Sequence, residues 1–182
     1  MEYRMKRDDV YMGKSFSSHS RLIAALALNA AAVVFEIIGT IQSVRSEGWS
    51  LFTFYTEDSN LFALVACGIF VVYAFLGLKD GKAVPRWVKT LKYMATCCLM
   101  ITFVVVVTIL APTAGPNGYA MMLLSGAMLY HHTICPLLLL GSFVFLETEP
   151  GLAKKTALTA MIPTGLYALV VLPLNIAKVM TG

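Results

Sequence analysis

The chain has 182 residues, of which 58% are hydrophobic and 13% charged, with a mean hydropathy of +0.76 and a formal net charge of +4. One soluble core of this size cannot bury that much apolar surface, so the composition excludes a soluble globular domain and implies an integral membrane protein. No basic patch is interleaved with exposed aromatics, which argues against nucleic acid as a partner.

Residues 1–20 mix charges with Ser15, Ser17 and Ser18 and show no sustained period, so they read as a cytoplasmic tail with some interfacial helix. The apolar run that follows is longer than the h-region of a cleaved signal and reads as a retained helix. This first span, 21–41, is rich in Ala and carries Asn29 and Glu36. Small residues let helices approach closely in lipid, which predicts a central place for it. The loop 42–55 holds Trp49, Phe52 and Phe54, rings suited to a membrane interface.

The second span, 56–78, opens with Thr56-Glu57-Asp58-Ser59-Asn60-Leu61, and the loop 79–92 holds Pro85, Arg86 and Trp87. The third span, 93–112, is Val-rich with Thr102 and Thr108, and the Pro/Gly-containing segment 112–118 makes the turn into the fourth, 119–146. That helix contains Tyr130-His131-His132-Thr133-Ile134-Cys135-Pro136. The fifth span, 156–177, carries Pro163 and Pro173, which mark kinks in a spanning helix. Each run meets the roughly 20 residues needed to cross about 30 Å of hydrocarbon. The fold expected is therefore all-α, a polytopic transmembrane helix bundle of five spans (21–182) behind the tail.

Twelve of the fourteen Lys and Arg fall in the tail and in the second and fourth connections, leaving only Arg45 and Lys178 on the other side. This places the N-terminus in the cytoplasm and the protein in the cell membrane as a multi-pass chain. Cys67, Cys97, Cys98 and Cys135 all lie inside spans without Cys-x-x-Cys spacing, so neither a disulfide framework nor a zinc site is expected, and no cofactor is implied.

Counting about 1.5 Å per residue from the charged end of each span brings Glu36, Thr56, Ser59, Thr108, His131, His132 and Asn175 into one layer toward the outer face. An ionisable group in hydrocarbon costs about 2.5–3.5 kcal/mol on insertion scales and is a functional candidate by default. A polar pocket open outward, with Glu36 near His131 or His132, is the expectation. On the second helix Thr56, Ser59 and Asn60 are spaced i, i+3, i+4 and share a face, while Glu57 and Asp58 point elsewhere and meet the positive end of the helix dipole. The same letters also spell a helix start with Thr56 as N-cap.

On the fourth helix Pro136 has no N–H to give the His132 carbonyl, which opens the ladder beside the histidines. Adjacent histidines lie about 100° apart on an α-helix and do not readily share one metal. His131 with Cys135 would supply only two ligands, too few for a metal site. One of the two histidines reads as a hydrogen-bonded structural residue.

Together, the Thr56–Leu61 segment and the run His131-His132-Thr133-Ile134-Cys135-Pro136 resemble the androgen-induced gene family of polytopic membrane proteins and its bacterial relatives. The animal members are intramembrane threonine hydrolases of fatty acid esters of hydroxy fatty acids. The resemblance implies Thr56 as nucleophile and His131, five residues before Pro136, as general base; His132 matches the bacterial spacing about as well. It also implies a membrane lipid or fatty acid ester as substrate. Glu36 would orient the histidine, Asn60 or the free N–H groups of the helix start would stabilise an oxyanion, and Asp58 and Ser59 would line the pocket. Ser59-Asn60 stands where the animal motif has an acidic residue, and the chain has five spans where the family has six, which implies truncation or a bundle completed by a homo-oligomer or a partner helix.

Three functions are thus in play: a lipid-ester hydrolase, a transporter or small-ligand-binding protein using Glu36 and the histidines, and a scaffold. The lack of repeat symmetry weighs against the second.

Overall fold

The structure, a computed structural model, describes residues 2–147 and 154–177. Among these residues there is no strand. Helix α1 runs without interruption over Glu2–Glu47. It takes in the tail, whose Glu, Arg, Lys and Met are good helix formers and which holds no proline. It also continues past residue 41 into the expected loop. A 3-10 turn, Gly48–Thr53, then reverses the chain; it starts on Gly48 at φ 63°, a left-handed value that a glycine adopts freely.

Helix α2 spans Tyr55–Asp80. Its N-cap is Phe54, in extended conformation, whose carbonyl accepts from the amides of Glu57 and Asp58. Thr56 therefore sits inside the first turn and does not cap the helix, contrary to the N-cap reading. α2 stops at Gly81, φ 68°, a left-handed C-terminal residue.

Helix α3, Arg86–Thr113, begins directly after Pro85, several residues earlier than the composition suggested. Lys92 is consequently inside a helix and not in a loop, and it is fully buried. Near its end α3 widens into a π-turn at Val106–Leu110. Pro112 follows four residues after Thr108, so the ladder lacks a donor there.

The expected continuous fourth helix is two helices. α4, Gly118–Leu124, is separated from α5, Gly126–Glu147, by Ser125 in extended conformation and Gly126 at φ 52°. Gly118 is required at the preceding turn, because a Cβ there would lie 2.0 Å from the Ala111 carbonyl oxygen. Two further helices, α6 (Lys154–Thr159) and α7 (Ile162–Ile176), complete the described chain.

Helix α1 packs along α2 and α5, and α2 packs along α3. The centre is made of small side chains, Ala32, Ala63, Ala66, Cys67, Ala95 and Cys135, with Leu99 and Leu139, all buried. Lipid chains are as apolar as leucine, so close backbone approach through such residues replaces the hydrophobic effect in holding spanning helices together. Val34, Ile37, Val65, Val72, Phe75, Val104 and Ile109 face outward instead. Among the described residues five helices are long and apolar enough to cross a membrane, from His19–Thr53 to Ala157–Leu174. The chain is a multi-pass, all-α membrane protein.

Candidate functional site

Helix α5 contains a π-turn at Leu129–Ile134, ahead of Pro136, and both histidines lie within it. Both are buried, His131 at 0% and His132 at 3% exposure. The His131 ring lies against α1 at Gly39, where a Cβ would stand 2.4 Å from Nε2. Only a glycine leaves room for it.

The ring is held between two acids. Nε2 is 3.5 Å from Glu36 Oε2 on α1, and Nδ1 is 3.3 Å from Glu57 Oε2 on α2. On its far side Glu57 Oε1 accepts a 2.9 Å hydrogen bond from Ser43 Oγ. The Cys135 thiol neighbours Glu36 and points to the Ala32 carbonyl at 3.8 Å. Both Glu36 oxygens and both His131 nitrogens lack a hydrogen bond of good geometry, as do Asn60 Oδ1 and His132 Nε2.

Elementary charge counting constrains this arrangement. Two carboxylates and one neutral imidazole carry two negative charges, and an imidazolium leaves one. A buried net charge is costly, and two protons shared among the three groups, or a bound cation, would neutralise it. Among the described residues no group of three His, Cys, Asp or Glu is arranged to hold a metal ion. The chemistry available is proton exchange between an imidazole and carboxylates.

Comparison with family models, curated proteins and solved structures finds no match. The reading of the site rests on its geometry.

The other sequence candidates fall around this cluster in different ways. The Thr56 hydroxyl is half-buried, and among the described residues no hydrogen bond joins it to either imidazole. The Thr56 carbonyl accepts from Ser59 Oγ and Asn60 Nδ2, each at 2.8 Å. Ser59 also reaches Thr102 Oγ1 on α3 at 2.9 Å. His132 Nδ1 bonds the Met122 carbonyl at 2.9 Å, and Thr133 Oγ1 donates to the Leu123 carbonyl at 2.8 Å. These two bonds fasten the end of α4 onto α5. Thr108 is exposed, and its hydroxyl donates to the Val104 carbonyl of its own helix and, among the described residues, makes no contact with the cluster. The Asn175 side chain and Lys178 lie outside the described residues.

Glu57 is the residue that sequence reasoning turned the wrong way. Its signal was the buried stripe Gly77, Ala74, Phe70, Cys67, Ala63, Asn60, which at steps of three and four continues back onto Glu57. A second buried polar cluster also went unforeseen. Lys92 Nζ is 3.2 and 3.4 Å from the Glu147 oxygens, and Glu147 also accepts from Ser142 Oγ and, at 2.9 Å, from Asn29 Nδ2. The Lys92 ammonium lies 5.9 Å above the Phe70 ring. The small-residue core separates the two clusters.

Proposed function

We propose that the Glu36–His131–Glu57 cluster is the working centre of this membrane protein, a proton-exchanging site serving transport or small-ligand binding from the outer face. The observation that carries the reading is the position of His131, with one carboxylate beside each ring nitrogen and all three groups buried. Intramembrane ionisable residues that face a bundle interior and pair with one another mark ion and proton pathways. The distribution of Lys and Arg supports the orientation, with the N-terminus in the cytoplasm.

Purified protein reconstituted in liposomes with a trapped pH dye tests this. An imposed pH gradient should dissipate faster with protein than without it, and Glu36→Gln or His131→Gln should remove the difference while Thr56→Ala keeps it. Unchanged flux in both site variants sinks the proposal.

A second reading follows the family resemblance: a lipid-ester hydrolase with Thr56 as nucleophile and His131 as base. One observation favours it. The Thr56 hydroxyl has no hydrogen bond among the described residues and is adjacent in sequence to Glu57, which holds the imidazole. Turnover of a long-chain ester, lost in both Thr56→Ala and His131→Ala, would establish this reading. Labelling of Thr56 by a fluorophosphonate probe, prevented by His131→Ala, would identify the nucleophile.

A further inference from the structure

A cavity of about 540 Å³ opens between α2, α3 and α7, apart from the Glu36 cluster. Its walls are apolar: Phe52 from the 3-10 turn, Phe62 from α2, and Leu166, Val170 and Leu174 from α7. Along α7 the lining runs from Pro163 to Leu174, a length of about 16 Å at the helical rise. The volume is that of a small-molecule site.

The polar groups on its wall are few, and all but one are engaged by the protein itself. Tyr55 Oη and Thr164 Oγ1 share a 2.7 Å hydrogen bond, and the Cys98 thiol lies 3.9 Å from the same threonine. Tyr167 Oη donates to the Thr53 carbonyl at 2.8 Å, and its ring packs edge-on against Tyr55. Ser59 is taken by Thr56 and Thr102. The exception is Asp58, half-buried, whose carboxylate has no hydrogen bond or ion pair among the described residues. An apolar cavity of this shape with one unmatched carboxylate defines its guest by what is missing. A fatty acid would bring a second negative charge. An alcohol would leave Asp58 without a counter-charge, and a small inorganic cation would leave the apolar walls unfilled.

We propose that this cavity binds a single-chain cationic amphiphile, with a primary ammonium head on Asp58 and an unbranched alkyl tail along α7. The ammonium gives the carboxylate charge-assisted hydrogen bonds, and the tail covers Phe62, Val170 and the neighbouring side chains. The cavity lining shares no residue with the Glu36–His131–Glu57 cluster.

Radiolabelled dodecylamine, measured on the protein in nanodiscs of zwitterionic lipid against empty nanodiscs, is the test. Binding above the empty discs is expected, displaced by unlabelled dodecylamine and by neither dodecanol nor dodecanoate. Asp58→Asn should weaken it at least about tenfold, the value of one charge-assisted hydrogen bond. Val170→Trp, at an exposed position on the cavity wall, should block it by filling the cavity. Equal competition by dodecanol, or binding unaffected by Val170→Trp, overturns the proposal whether or not Asp58→Asn folds.

Discussion

Removing the Lys92 ammonium should destabilise the bundle by about 3–5 kcal/mol, the cost of breaking a buried ion pair from one side. Lys92 is wholly buried, and its nitrogen lies 3.2 Å from Glu147 Oε1. At an effective dielectric near 20, unit charges at that distance attract by about 5 kcal/mol. In Lys92→Met the stem volume is kept and the charge goes, leaving Glu147 with Asn29 and Ser142 as its donors among the described residues. The double variant Lys92→Met/Glu147→Gln separates charge from packing. The glutamine carbonyl still accepts from Asn29 and Ser142, no net charge remains, and stability should return to within about 1 kcal/mol of the parent, because a buried pair replaced by a neutral pair of similar volume is often near neutral. Unfolding free energies from SDS titration in mixed micelles provide the readout. A single variant within about 0.5 kcal/mol of the parent, the range of ordinary surface substitutions, would refute the assignment of Lys92 to the bundle interior.

Other substitutions probe the layer around His131. Ser43→Ala removes the donor to Glu57 and should cost about 1.5–3 kcal/mol by the same titration, since the bond goes to a carboxylate. Glu57→Gln should abolish the gradient dissipation attributed to the cluster while leaving dodecylamine binding intact, because Glu57 does not line that cavity. His132→Phe removes the bond to the Met122 carbonyl. Amides of α4 should then exchange with solvent faster, measured by hydrogen–deuterium exchange, while those of α2 are unchanged. Pro136→Ala supplies the N–H that the His132 carbonyl lacks, closing the wide turn. It should reduce flux more than it reduces stability, a combination that a purely structural proline would not give.

The five spans were legible because hydrocarbon thickness imposes a length and an apolar composition that no other segment of the described residues satisfies. Depth counting also works for rigid helices, and it put Glu36 and His131 at one level, where they meet. Rotation about each helix axis is a harder matter. Thr56, Ser59 and Asn60 do share a face, yet Glu57 also turns inward because α2 closes on α1 at Ser43, a contact between helices that no local pattern records. In the sequence Lys92 reads as a loop cation, since lysine seldom lies buried; its partner Glu147 sits 55 residues later, and only the fold brings them together. The break at Ser125-Gly126 was hidden in an apolar run, where one left-handed glycine suffices to end a helix.

Gly39 ties two distant parts of the chain into a single unit of inheritance. The space its missing side chain leaves is the space the His131 ring fills, so neither position can change alone without either a clash or a void. Where descendants of this sequence have lost the imidazole, position 39 is released and larger residues should appear there. Where the imidazole persists, glycine should persist with it. The pair is thus a marker that can be read from sequences alone, and it reports whether a given relative still carries the buried acid–histidine centre.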